Sequence, residues 1–383
     1  MTITTQCRPG LAQSVKALLW ASAATFLLGC AGGLEPPKPT DLGPNIAFVG
    51  VRQAWTNQLG PIQLPLLAKA SGTTVALAAT DGLVALLDAR TGQDLWRLNV
   101  GGPISAAAGS DGRYVAVVTQ NNELVALESG RELWRQKLTA STFTAPLVAG
   151  ARVFVLSADR SVVAFDVASG RKLWNQTRPS EPLVLRQGGL LLAMGDTLIA
   201  GLSGRLVAMN PANGSSRWEV PIAVPRGTND VERLVDLVGN ASRLDDQLCV
   251  RAYQAAVGCV NTARGSSLWL KSAMGAQGVS GDDRYVYGTE LDGKVVAWKR
   301  LDGERAWESD RLKYRSLTAP LAVGRSIAVG DNTGNVHLLS REDGSPLNRL
   351  TTDGSGIAAA PVLVGDTLVV VTRNGAVFGF RPE

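Results

Sequence analysis

Chemistry that depends on clustered side chains has little to work with in this sequence. One histidine, His337, stands among 383 residues. A zinc site of two or three imidazoles, or a metalloprotease motif, needs more than that. A Ser-His-Asp triad would have to use His337, and no serine or cysteine nucleophile motif accompanies it. The 42 glycines are scattered, and none belongs to a G-x-x-x-x-G-K phosphate loop. No metal and no cofactor is assigned on these residues. The composition supports a large buried core, with 45% hydrophobic and 19% charged residues. Net charge is +5, but two of the cations, Arg8 and Lys16, lie in an N-terminal leader. The remaining excess is small and dispersed, which argues against nucleic acid.

The leader has the form of an export signal. Residues 17–28 (ALLWASAATFLL) are almost wholly apolar. The run is too short to span a bilayer, which takes about 20 residues, and suits the apolar region of a secretory signal. Leu27-Leu28-Gly29-Cys30 follows, and it resembles the lipobox of bacterial lipoproteins. That resemblance implies cleavage after residue 29 and acylation of Cys30, with several chains giving stable membrane attachment. Ala31 stands where an aspartate would resemble an inner-membrane retention signal, so the outer membrane is expected. Residues 30–44, rich in Gly and Pro, read as a flexible tether.

From residue 45 to 383 the chain is one repeat. Trp55, Trp96, Trp134, Trp174, Trp218, Trp269 and Trp307 recur at intervals of 38 to 51 residues. Most close the same phrase, as in VALLDARTGQDLW at 84–96 and VAFDVASGRKLW at 163–174. A seventh copy, at 336–348, has Asn348 in the tryptophan position, and an eighth stops short at VFGFRPE. Each repeat shows about four short strands with turns at Gly, Asp and Asn. A period near 40 with four strands per repeat predicts an all-β, eight-bladed β-propeller. The orphan segment around Trp55 is expected to supply the fourth strand of the last blade and close the ring, removing two open edges. The tryptophans are read as structural docking residues that pack onto the next blade. His337 falls in a third strand, where other repeats have Ala or Gly, and reads as a packed strand residue.

The A-x-D-x-x-x-G-x-x-x-W phrase resembles the tryptophan-docking motif of quinoprotein (PQQ) repeats. Together with the lipobox, the length and the eight copies, the chain resembles the BamB family of outer-membrane β-barrel assembly lipoproteins. The resemblance implies a non-enzymatic scaffold that binds BamA through its periplasmic POTRA domains and aids nascent outer-membrane proteins. It also implies contacts on two inter-blade loops. The repeat itself points to the same places. Two tryptophan intervals are long, 44 residues up to Trp218 and 51 up to Trp269, with the excess mainly at 176–189 and 220–240. Long irregular connectors in a compact fold are usually functional or mobile. In the first, Leu183, Leu185 and Arg186 match the family's Leu-x-Leu-Arg contact motif. In the second, Glu232, Arg233 and Asp236 align with its acidic loop, while Val238 stands where the family often has a second aspartate.

Cys249 and Cys259 flank a predicted hairpin turn near Tyr253-Gln254-Ala255. A three-residue turn puts them opposite each other and allows a disulfide; a two-residue turn points them to opposite faces and forbids it. Two other functions share this fold. A PQQ-dependent dehydrogenase would need quinone, calcium and a catalytic aspartate, and no such set can be named here. An extracytoplasmic ligand-binding propeller is the other.

Overall fold

Strand formation follows from short Val-, Leu- and Ala-rich runs broken by turn residues. In each repeat the second and third runs, such as Arg152–Leu156 and Val162–Asp166, are buried along nearly their whole length. Strands covered on both faces read as continuous apolar segments rather than as alternating ones. The fourth run, such as Lys172–Gln176, is half exposed or more along its length. The computed structural model describes residues 37–66, 68–178, 183–230 and 232–383. The signal segment and Cys30 lie outside the described residues.

These runs assemble into eight four-stranded antiparallel sheets, the blades of a propeller. We letter the strands of each blade a to d from the axis outward. Blades 1 to 7 span 69–99, 109–137, 147–176, 191–221, 237–272, 280–309 and 321–351. Blade 8 takes strands a to c from 362–382 and strand d from Val51–Gln58. Register runs from Val51 opposite Pro382 to Gln58 opposite Ala376, so the expected closure is present in the structure. The core is distributed between blades. Val153, Val155 and Phe165 of blade 3 pack on Ala116, Val118 and Leu124 of blade 2. Val369 and Val371 of blade 8 meet Val75 and Leu77 of blade 1 in the same way.

The c–d turns carry the tryptophan docks. The Trp55 indole N–H donates to the Ala89 carbonyl at 3.0 Å, Trp134 to Val167 at 2.8 Å and Trp307 to Arg341 at 2.9 Å. Each ring lies against the turn glycine of the following blade. A Cβ at Gly92 would overlap Trp55, and one at Gly170 would meet Trp134. Positive φ and this close approach both require glycine there. Blade 8 cannot offer such a turn to blade 7, because its strands c and d come from opposite ends of the chain. Asn348 stands at that seam. Its Nδ2 donates to Val49 O at 2.8 Å, and its Oδ1 accepts from Asn45 Nδ2 at 3.1 Å.

The tether reading needs correction at its C-terminal end. Residues 40–48 lie along the outer edge of blade 7 instead of hanging free. Thr40 N–H donates to Lys313 O, and Phe48 N–H donates to Leu347 O. Arg349 reaches Gly43 O, and Arg325 reaches Phe48 O. Leu42 packs at the cluster shared by blades 6 and 7. Proline and glycine do keep this segment extended, but strand d of blade 7, Pro346–Thr351, offers it an unpaired backbone edge.

Candidate functional site

The d–a connectors and the b–c turns lie on the ring face opposite the c–d turns. On this connector face the blades differ. Seven b–c turns close with the same kind of hydrogen bond, from a residue one or two positions before strand c to a carbonyl three residues back. In six of them the donor has positive φ, and it is Gly82, Asn122, Arg160, Gly293, Gly334 or Gly375, while in blade 5 it is Ala255. Arginine in that region carries a steric cost of about 1–2 kcal/mol. The Arg160 side chain therefore has to be held by its surroundings, and it is.

Its guanidinium is buried and forms an ion pair with the equally buried Asp236 carboxylate. Arg160 Nη2 also donates to Leu183 O at 2.9 Å. The second Asp236 oxygen accepts the Leu185 N–H at 2.9 Å. Gly239 N–H donates to Gly188 O, and Gly189 bridges Val238. The end of the first long connector is thus fixed onto the end of the second. The sequence reading places Asp236 among the contact residues. The structure instead leaves it 7% exposed and turned inward, where it positions the first connector. Val238 is buried as well, so the missing second aspartate falls at a packed position.

The remaining candidates are distributed around this clamp. Leu183 is 41% exposed. Leu185 lines a groove with Val224, Leu234, Tyr253 and Leu270, of which Val224 and Leu270 are exposed apolar side chains. Glu232 is exposed and lines the same groove, but its carboxylate folds back to accept the Thr228 N–H at 2.9 Å. That hydrogen bond holds its pKa below the usual carboxylate range. Arg233 N–H donates to Asn229 O within the same connector. Arg186 points elsewhere: it lies over the Phe143 ring at 5.8 Å and lines the central channel. The structure therefore brings Leu185 and Glu232 to one groove, keeps Asp236 beneath it and sets Arg186 apart.

Below the groove, Cys249 and Cys259 are opposite each other across a three-residue turn and are joined by a disulfide. His337 is buried in strand c of blade 7, with Nε2 2.9 Å from Asp331 Oδ2. Burial pushes the Asp331 carboxyl up, but hydrogen bonds from His337, Asn335 and Thr333 outweigh it and hold the group well below its ordinary value. Arg315 joins Asp331 at 3.3 Å and also reaches Thr40 O. Among the described residues no three carboxylates, histidines or cysteines gather to hold a metal ion. Arg160 is the site residue that sequence reasoning missed. Its signal was present: the only long side chain among six otherwise Gly or Asn turn positions.

An eight-bladed ring with PQQ-type tryptophan docks and a clamped pair of long connectors defines a class of PQQ-type repeat propeller. Within it, the family model described as outer membrane protein assembly factor BamB matches residues 80–309. A Burkholderia pseudomallei protein of that name is 36% identical, over 95% of this chain and 97% of its own length. One from Bordetella pertussis is 35% identical, over 90% of each. The chain belongs to the BamB family. The crystal structure of BamB from Moraxella catarrhalis superposes with a TM-score of 0.79 at 24% identity, covering 86% of this chain and 99% of that one. A quinohemoprotein alcohol dehydrogenase from Pseudomonas putida reaches 0.68 at 14% identity, a likeness of fold alone.

Proposed function

We propose that this chain is a non-enzymatic scaffold subunit of the machine that assembles β-barrel proteins into the outer membrane. In this reading Cys30 carries the lipid anchor on the periplasmic face. The connector surface built from 183–190 and 222–236 docks the POTRA domains of BamA. Family membership supports the assembly role. The observation that carries the docking surface is the Arg160–Asp236 clamp, which orders two long connectors against each other before any partner arrives. A pre-ordered loop pair avoids part of the entropy cost of binding. Leu183, Val224 and Leu270 supply exposed apolar area, the type of anchor that dominates interfaces when it is central and well packed.

The test is a pull-down or interferometry titration of the full chain against the BamA periplasmic domains. Leu183→Asp is expected to weaken binding by at least about tenfold with no change in melting temperature, as for a central anchor. Leu95→Asp, at a more exposed leucine on blade 1, serves as the control and should bind as the parent does. Asp236→Asn is expected to weaken binding and to raise hydrogen exchange across 183–190. Full binding by Leu183→Asp and Asp236→Asn together would remove this surface from the interface.

A further inference from the structure

On the connector side, the central channel is lined by one sign of charge. The eight innermost strands are Lys69–Ser71, Gly109–Ser110, Leu147–Ala149, Leu191–Met194, Leu237–Leu244, Ser280–Gly281, Leu321–Val323 and Val362–Val364. Their charged side chains are Lys69 and Arg243, and no carboxylate occurs among them. The central channel they surround is also lined by Arg186 and by Arg373 from the b–c turn of blade 8, again without an aspartate or glutamate among the described residues. Lys69 and Arg373 have no hydrogen-bond or ion-pair partner for their charged ends among the described residues. Arg186 rests on Phe143, and Arg243 donates to the Ala193 carbonyl. Elsewhere the chain pairs such groups readily, as at Arg135 with Glu123 and Glu132 or at Arg341 with Asp282.

Unpaired like charges facing a narrow cleft raise one another's electrostatic energy, and low-dielectric walls focus their field into the opening. The effect is visible at Lys69, whose pKa is lowered first by burial and then by the charge of Arg243. A bound anion reverses both penalties. Amide side chains at Gln63, Asn240, Gln277 and Asn332 line the same channel and can donate to anionic oxygens.

We propose that the central channel binds a small multivalent anion bearing carboxylate or phosphate groups, held by Lys69 and Arg373 with Arg186 at the connector-side mouth. The site shares Arg186 with the first connector of the proposed docking surface, but the two variants used to test it, at Lys69 and Arg373, leave both connectors intact. Calorimetric titration of the full chain with citrate and with pyrophosphate, at ionic strength held constant with sodium chloride, separates the carboxylate and phosphate sources. Saturable one-site binding is expected for at least one of them. Lys69→Gln should weaken that binding about tenfold, as the loss of one charge-assisted contact does. Melting curves report whether Lys69→Gln folds, and Arg373→Gln, at an exposed turn, provides the second reading. Weakening beyond threefold by either folded variant supports the site. Absence of saturable binding by both anions overturns the proposal, as does binding that both variants leave within threefold.

Discussion

The two faces of the ring follow different rules. On the face of the c–d turns, a tryptophan ring against a turn glycine recurs at seven seams, five of them with an indole N–H to a carbonyl, and one seam, between blades 7 and 8, has no tryptophan. On the connector face, blades 3 to 5 carry long loops and an arginine where other such turns have glycine, asparagine or alanine. Repetition on one face closes the ring, which leaves the other free to vary without disturbing the blades. The exceptional seam sharpens the lesson. Where blade 8 offers no turn to receive a ring, the chain uses Asn348 and the segment at 40–48 instead.

The largest test removes the closure itself. Deleting residues 45–58 takes strand d from blade 8 and exposes an apolar sheet edge, so the truncated chain should lose cooperative melting. A truncation that melts like the full chain would refute closure by this strand. Next comes a contrast between seams. Trp134→Ala, at a buried dock, should cost about 3–5 kcal/mol by denaturant unfolding. Asn348→Ala removes hydrogen bonds worth only about 1 kcal/mol. Equal costs would mean that the seam of blades 7 and 8 is built like the others.

Between those two in size lies Asp331→Asn, whose effect depends on pH. Hydrogen bonds to a charged group are worth about 1.5–3 kcal/mol. The folded-state pKa of Asp331 is depressed, so its contribution is complete above the unfolded carboxyl pKa of about 4. It is lost as pH falls toward the lower, folded value. The stability difference between parent and variant should therefore shrink as pH falls below about 4. A difference that stays constant down to pH 3 would mean that the Asp331 charge does not matter to the fold.

Much of the ring was legible in the sequence because its physics is periodic. Spaced tryptophans, turn glycines and the orphan strand at Trp55 each recur or complete a recurrence. The parts that were not legible depend on contacts between segments far apart in the chain. The Pro/Gly-rich stretch before residue 45 signals an extended backbone, not the edge it lies on. Asp236 signals charge, and only the fold reveals that Arg160, 76 residues earlier, buries it. The pairing of Cys249 with Cys259 turned on one residue of turn length, which neither cysteine reveals.

The segment at 40–48 also determines how the molecule bears load. Thr40 sits at the connector face, beside Lys313 and Arg315, and Phe48 sits toward the c–d turns, beside Leu347. Tension applied to the chain ahead of Thr40 is met first by bonds to Arg315, Arg349, Asn348 and Arg325 along the flank of blade 7. Those bonds must yield before force reaches Val51 and the strand that closes the ring. Force on the chain ahead of Thr40 is thus spent on the flank of blade 7 before it reaches the closing strand.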